Sequence, residues 1–191
     1  QVLNGGTLSA YVPLVNLGTI DASASGNLIL GENMNTVGDL DVSGLGTLTL
    51  AGSGDLTFPP HRFTPAVSSI GTLTISITNP ERISLAASVT TTHALNLNNG
   101  YLDLNGNTLS LDGAASLMVG ASGGFYGGGT LEFTGSGDQT IGAPIYTTIS
   151  SMRIRKTSGQ VSQGTSVISV AGAFDVVSGT YLIDGGVFMT N

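Results

Sequence analysis

The stretch Ala94-Leu95-Asn96-Leu97-Asn98-Asn99-Gly100-Tyr101-Leu102-Asp103-Leu104-Asn105-Gly106-Asn107-Thr108-Leu109-Ser110-Leu111 carries the fold in miniature. Three triplets, Leu95-Asn96-Leu97, Leu102-Asp103-Leu104 and Leu109-Ser110-Leu111, each set a polar residue between two apolar ones. Successive side chains of an extended chain point to opposite faces, so this alternation makes one apolar face and one polar face. Between the triplets stand Asn98-Asn99-Gly100 and Asn105-Gly106-Asn107, residues that accept positive φ and turn the chain within a few positions. The same beat runs outward through Leu28-Ile29-Leu30, Leu40-Asp41-Val42, Leu48-Thr49-Leu50 and Leu73-Thr74-Ile75 on one side and Leu131-Glu132-Phe133 on the other. No helical period is sustained. The chain reads as all-β, with strands of about four to six residues.

Longer self-similarity points to the architecture, because stacked-rung proteins repeat at fixed offsets. Leu73, Ile75, Leu95, Leu97, Gly100, Leu102, Leu104, Gly106 and Leu109 are matched 79 residues later by Met152, Ile154, Phe174, Val176, Gly179, Tyr181, Ile183, Gly185 and Phe188. Apolar positions map to apolar ones and glycine to glycine. A second echo sets Gly52-Ser53-Gly54-Asp55-Leu56-Thr57-Phe58 against Gly135-Ser136-Gly137-Asp138-Gln139-Thr140-Ile141, at an offset of 83. The difference places an insertion in the first copy, between Pro59 and Pro65. Residues 1–191 then form one continuous repeat array: 1–51 end a preceding unit, 52–134 are one unit, and 135–191 begin the next. The predicted fold is a right-handed parallel β-helix, a β-solenoid with about nine rungs of roughly 20 residues and a length on the order of 40 Å. Tandem β-sandwich domains are the alternative. Tyr181 to Met189 still reads as strand, which predicts either a piece of a longer array or a subunit that stacks through an open rung.

Composition narrows the function classes. Charged residues make up 9% of the chain against a usual ~25%, while 40% hydrophobic residues supply enough apolar surface to fold. The net charge is −7, and the first Lys or Arg is Arg62, a pattern opposed to nucleic-acid binding. No apolar run approaches the ~20 residues that cross a bilayer, so no membrane insertion is expected in this segment. With no cysteine there is neither a disulfide framework nor a thiolate metal site.

Chemistry-bearing patterns are few. Gly120-Ala121-Ser122-Gly123-Gly124 fits Gly-x-Ser-x-Gly, but a nucleophile elbow needs a strand-to-helix turn with an acid and a histidine downstream. Both histidines, His61 and His93, lie upstream, and neither has a second ligand at zinc-like spacing. Asp39 and Asp41, with Asp103, Asp112 and Glu132 in later strands, would suit a β-helix acting on acidic polysaccharide; solvated surface acids are the plainer reading. Asp55 and Asp138, each after Gly-Ser-Gly, are the candidates for Ca2+, with turn capping by the carboxylate as the alternative. Arg153, Arg155 and Lys156 form the one basic cluster, suited to an acidic glycan, to a neighbouring subunit, or to guarding a strand edge. Phe125 and Tyr126 amid glycines offer a sugar-stacking platform or a corner plug. No catalytic residue is assigned, and the chain is read as a non-enzyme.

Gly135 to Ile141, followed by Tyr146, Met152-Arg153-Ile154, Val167 to Val170 and Ser178-Gly179-Thr180-Tyr181-Leu182, resembles the extracellular repeats of very large Bacteroidota surface proteins. So does Asn99 to Leu109, and the likeness covers most of residues 36 to 189. More distantly the pattern is similar to haemagglutinin-like and autotransporter passenger solenoids. The resemblance implies a cell-surface location, export by type IX secretion and a stalk or adhesin role, gliding-motility adhesins included. It implies partners among adjacent repeats or stacked copies, surface glycans and the secretion machinery. A self-assembling filament subunit and a polysaccharide-active β-helix are the alternatives to that role.

Overall fold

The structure is a computed structural model that describes residues 5–10, 19–21, 26–30, 39–41, 46–52, 56–58, 69–78, 82–85, 87–142 and 147–190. Among these residues there are eighteen strands and no helix. They run β1 (Thr7–Ala10), β2 (Thr19–Asp21), β3 (Asn27–Leu30), β4 (Asp39–Asp41), β5 (Thr47–Gly52), β6 (Leu56–Phe58), β7 (Ser69–Ile77), β8 (Arg82–Leu85) and β9 (Val89–Asp103). Then follow β10 (Thr108–Leu111), β11 (Ser116–Tyr126), β12 (Thr130–Gly135), β13 (Gln139–Gly142), β14 (Thr147–Ile149), β15 (Ser151–Ser162), β16 (Val167–Val170), β17 (Phe174–Leu182) and β18 (Val187–Thr190).

Strand β9 shows how one turn of the coil is made. Its Val89–Thr91 pairs with Leu109–Leu111 of β10, its Ala94–Leu97 with Ser116–Val119 of β11, and its Asn99–Asp103 with Ser122–Tyr126 of β11. One strand therefore bends over three faces. Relative to β7 it carries one extra residue at Thr92-His93 and another at Asn98, where the register shifts and the backbone turns a corner. Asn105 (φ 49°) and Gly106 (φ 78°) then reverse the chain toward the next turn, as the triplet spacing predicts.

Among the described residues every pairing is parallel, at offsets of 19 to 27 residues, which a sandwich of antiparallel sheets does not produce. The chain is a β-solenoid. Along the second face, nine segments follow one another in β1, β3, β5, β7, β9, β11, β13, β15 and β17. At ~4.8 Å per step that ladder is on the order of 40 Å long. Leu8, Leu28, Leu48, Leu73, Leu95, Leu117 and Ile141 stack as a continuous inward column. All but Leu8 are fully or almost fully buried. On the first face Leu109, Leu131, Met152 and Phe174 form a second column, and Leu111, Phe133, Ile154 and Val176 a third. Each buried Leu or Ile contributes about 1.5–3 kcal/mol.

The two sequence echoes take on a new meaning in this geometry. Leu73 and Leu95 lie on the second face, while Met152 and Phe174, their matches at offset 79, lie on the first. Leu102 lies on the third face and Tyr181 on the second; Leu109 lies on the first and Phe188 on the third. The echo thus slips by one face: 79 residues span a whole number of turns less one third. Corner glycines follow the slip, since Gly100 and Gly179 both have positive φ, as do Gly106 and Gly185. The echo at 83 slips the same way, carrying β6 on the third face onto β13 on the second. The suspected insertion between Pro59 and Pro65, with His61, lies outside the described residues, as do Asp55 and Tyr146.

Thr91 breaks the apolar rule. It is fully buried in the column between Ile70 and Leu111, and its hydroxyl has no hydrogen-bond partner. An unsatisfied buried hydroxyl is destabilising, so Thr91→Val is expected to raise the unfolding free energy by about 1 kcal/mol. Urea melts of the two proteins test this, and an unchanged or lower midpoint would contradict it.

Candidate functional site

The basic cluster divides between outside and inside. Arg153 and Arg155 point outward from β15 on the first face, where pairing sets Ser110, Glu132, Arg153 and Asp175 in one cross-strand row. Arg155 Nη2 reaches Glu132 Oε2 at 3.1 Å, Arg153 lies 3.9 Å from Glu132 and 3.6 Å from Asp175, and Ser110 donates to Glu132 at 3.2 Å. Glu132 occupies an outward position, yet its side chain is only 5% exposed because the two arginines cover it. The row alternates in sign along the rod. Like charges never meet across it, which favours this register over a slipped one.

Lys156 turns inward at the end of the same strand segment and is nearly fully buried. Its Nζ donates to Gln139 Oε1 at 2.7 Å, to the Thr134 carbonyl at 3.1 Å and to the Gly113 carbonyl at 3.2 Å. Gln139 in turn donates to the carbonyls of Leu111 and Ala115 at 2.8 and 3.1 Å. Three successive turns are pinned together at one corner. Desolvation lowers the Lys156 pKa, partly offset by Asp112 and Asp138. Sequence reading placed Lys156 with the arginines. The missed signal is parity: Met152, Ile154 and Lys156 share the inward face, and Gln139 stands where the first echo has Leu56.

Phe125 and Tyr126 do not form one platform. Phe125 pairs with Leu102 and packs against the core, as the corner-plug reading has it. Tyr126 points out from the third face, with the Arg82 guanidinium 4.8 Å from its ring centre, a cation–π contact across two turns. Tyr101 lies between those turns, beside a groove of about 290 Å³ that Ala121, Ser122 and Gly123 also line. Arg82 was not singled out by sequence because its partner is 44 positions away.

The Gly-x-Ser-x-Gly match is a β-bulge inside a continuous strand, with one more residue in β11 than in β9 between Val119 and Ser122. A Cβ on Gly120 would sit 2.5 Å from the Asn98 carbonyl oxygen, so glycine is there for close approach of two corners. His93 stands at another corner, exposed, sharing a 3.2 Å hydrogen bond with the Thr92 hydroxyl. Asp138 Oδ1 accepts the Gln160 N–H of the following turn at 3.0 Å. Asp103 accepts from Asn105 N–H and from the Ser84 hydroxyl. Of Asp39 and Asp41 the backbone alone is described, in β4. Among the described residues no three of His, Cys, Asp and Glu gather into a metal-holding group.

At the last turn one aromatic from each face fills the interior. Phe174, Tyr181 and Phe188 have ring centres 4.6 to 5.4 Å apart, and the Tyr181 hydroxyl donates to Gln163 Oε1 at 2.7 Å. Burial pushes the Tyr181 phenol above its ordinary value. A group whose folded pKa is raised contributes stability below its unfolded pKa of ~10 and loses it as pH rises above that. The wild type is therefore expected to lose stability above about pH 10 by more than Tyr181→Phe does; parallel alkaline curves would contradict this.

No protein-family model matches the chain, and comparison with curated proteins and with solved structures likewise returns no match.

Proposed function

We propose that this chain is a non-catalytic structural segment of a large extracellular bacterial surface protein, acting as a stiff stalk with a weakly adhesive surface. The observation that carries this reading is the second-face ladder, nine parallel segments with one inward column from Leu8 to Ile141. Such a ladder resists bending because each turn is hydrogen-bonded to both neighbours along its length. Length in a solenoid grows linearly with the number of turns, which is the property a spacer needs. The outward face is rich in Ser, Thr and Asn, keeping the rod in solution with few charges. Export by type IX secretion rests on the sequence resemblance alone. The surfaces offered for glycan contact are the outer rims of the first and third faces, Arg153 with Arg155 and Tyr126 with Tyr101.

Small-angle scattering of the monomeric chain tests the rod: an elongated distance distribution is expected, and a compact globular one would overturn the reading. A polysaccharide panel tests the absence of catalysis. Reproducible cleavage abolished by Asp103→Asn would replace the stalk by a polysaccharide-active β-helix.

A further inference from the structure

We infer that the third face carries, between β11 and β14, a binding groove for one ring of an uncharged carbohydrate, with Tyr101 as the stacking surface and Thr148 as a hydroxyl contact. The inference rests on the adhesive part of the stalk reading and deepens it, because it names the class of ligand and the place where it sits.

The groove lies in the middle of the rod, where the third-face ladder is interrupted. Strands β6, β8, β9 and β11 pair in succession there, and so do β14, β16 and β18, yet among the described residues no pairing joins β11 to β14. At the same level the other two faces run on unbroken, through β10, β12 and β15 on the first and β9, β11 and β13 on the second. Those faces hold the two edges close, so the break leaves no slot for an added strand. It leaves a groove of about 290 Å³, at the small end of the range for ligand sites and enough for a sugar ring.

The lining selects the ligand class. Tyr101 pairs with Gly124, and its ring lies down over that glycine: a Cβ there would meet the ring atoms Cε1 and Cδ1 at 3.2 and 3.3 Å. The following turn supplies Thr147 and Thr148, and Ser122 adds a third hydroxyl-bearing side chain. Among the described residues no Lys, Arg, Asp or Glu lines the groove, so nothing in it favours a charged ligand. A sugar ring presents C–H groups on its face and hydroxyls around its rim, which matches an aromatic surface bordered by uncharged hydrogen-bonding groups. Thr147 is nearly fully buried at this wall, and its hydroxyl has no hydrogen-bond partner. Such a group is destabilising until satisfied, and a ligand hydroxyl reaching the wall would relieve it.

Titration of the isotope-labelled 191-residue chain with cellotriose, maltotriose, chitotriose and trigalacturonate, followed by amide resonances, tests this. At least one neutral trisaccharide is expected to shift the signals of Ser122, Gly124 and Thr148 while leaving those of Arg153 and Arg155 in place. Tyr101→Ala is expected to weaken that binding about tenfold, and Thr148→Val about fivefold. Variant spectra that match the wild type away from the groove show that both proteins are folded. Unchanged affinity in Tyr101→Ala would overturn the inference, as would neutral-sugar shifts that lie elsewhere. Shifts produced by trigalacturonate alone, at Arg153 and Arg155, would also overturn it while keeping an adhesive surface on the first face. Binding of none of the four, with an elongated scattering profile, would remove groove and adhesion together and leave the stalk.

Discussion

Gly123→Ala is expected to destabilise the solenoid by about 3–5 kcal/mol, lowering the urea midpoint with little change in slope. A Cβ at this position would overlap the Leu97 carbonyl oxygen and lie 2.7 Å from its carbon. Both are backbone atoms of the preceding turn, so no side-chain rotation relieves the clash. Relief requires lifting β11 away from β9 at the bulged corner, which breaks ladder hydrogen bonds on two faces. Gly128→Ala is the matched control: a Cβ there meets nothing within 4 Å, and its effect is expected within about 0.5 kcal/mol. Equal effects of the two substitutions would contradict the close approach of the corners.

Lys156→Met is expected to cost about 3 kcal/mol, because it leaves Gln139 Oε1 and two carbonyl oxygens buried near the vacated ammonium. Gln139→Leu should also destabilise, by stranding the ammonium and the carbonyls of Leu111 and Ala115. The double variant Gln139→Leu/Lys156→Met is expected to lose less than the sum of the two singles, since it removes both interacting side chains together. Additive losses would show that the two side chains act separately. The network also predicts a pH dependence. A lysine whose folded pKa is lowered binds fewer protons folded than unfolded, so between the lowered and the ordinary value stability rises with pH. Relative to Lys156→Met, the wild type should therefore gain stability as pH approaches the usual lysine range.

Much of the fold was legible because β structure with one buried face writes its period into the sequence. Leu95, Leu97, Leu102, Leu109 and Leu111 are all fully buried, at the places the alternating triplets predict. The turn at Asn105-Gly106 adopts the positive φ its residues allow. The echo at 79 located equivalent strands and corner glycines. It could not reveal that the copies sit on different faces, because all three faces bury the same kinds of residue and sequence carries no face label. Side-chain clusters were less legible. Glu132 looks like a solvated acid until Arg153 and Arg155 arrive from the next turn, and Arg82 meets Tyr126 from two turns away. Such contacts depend on turn length, which varies from 19 to 27 residues along the described pairings and follows from bulges that no single residue announces. The glycines at 120 and 123 read as an enzyme motif for the same reason: what requires them is a neighbouring turn's backbone, 22 to 26 positions earlier.

The second face is one ladder of nine parallel segments, and the chain has no cysteine to interfere with site-specific labelling. Spin labels on cysteines at Thr7, Thr140 and Leu182, all outward on that face, measure it directly by pulsed electron resonance. At ~4.8 Å per step, about 29 Å is expected between Thr7 and Thr140 over six steps, and about 38 Å between Thr7 and Leu182 over eight. Distances that do not grow with the number of intervening steps would contradict it.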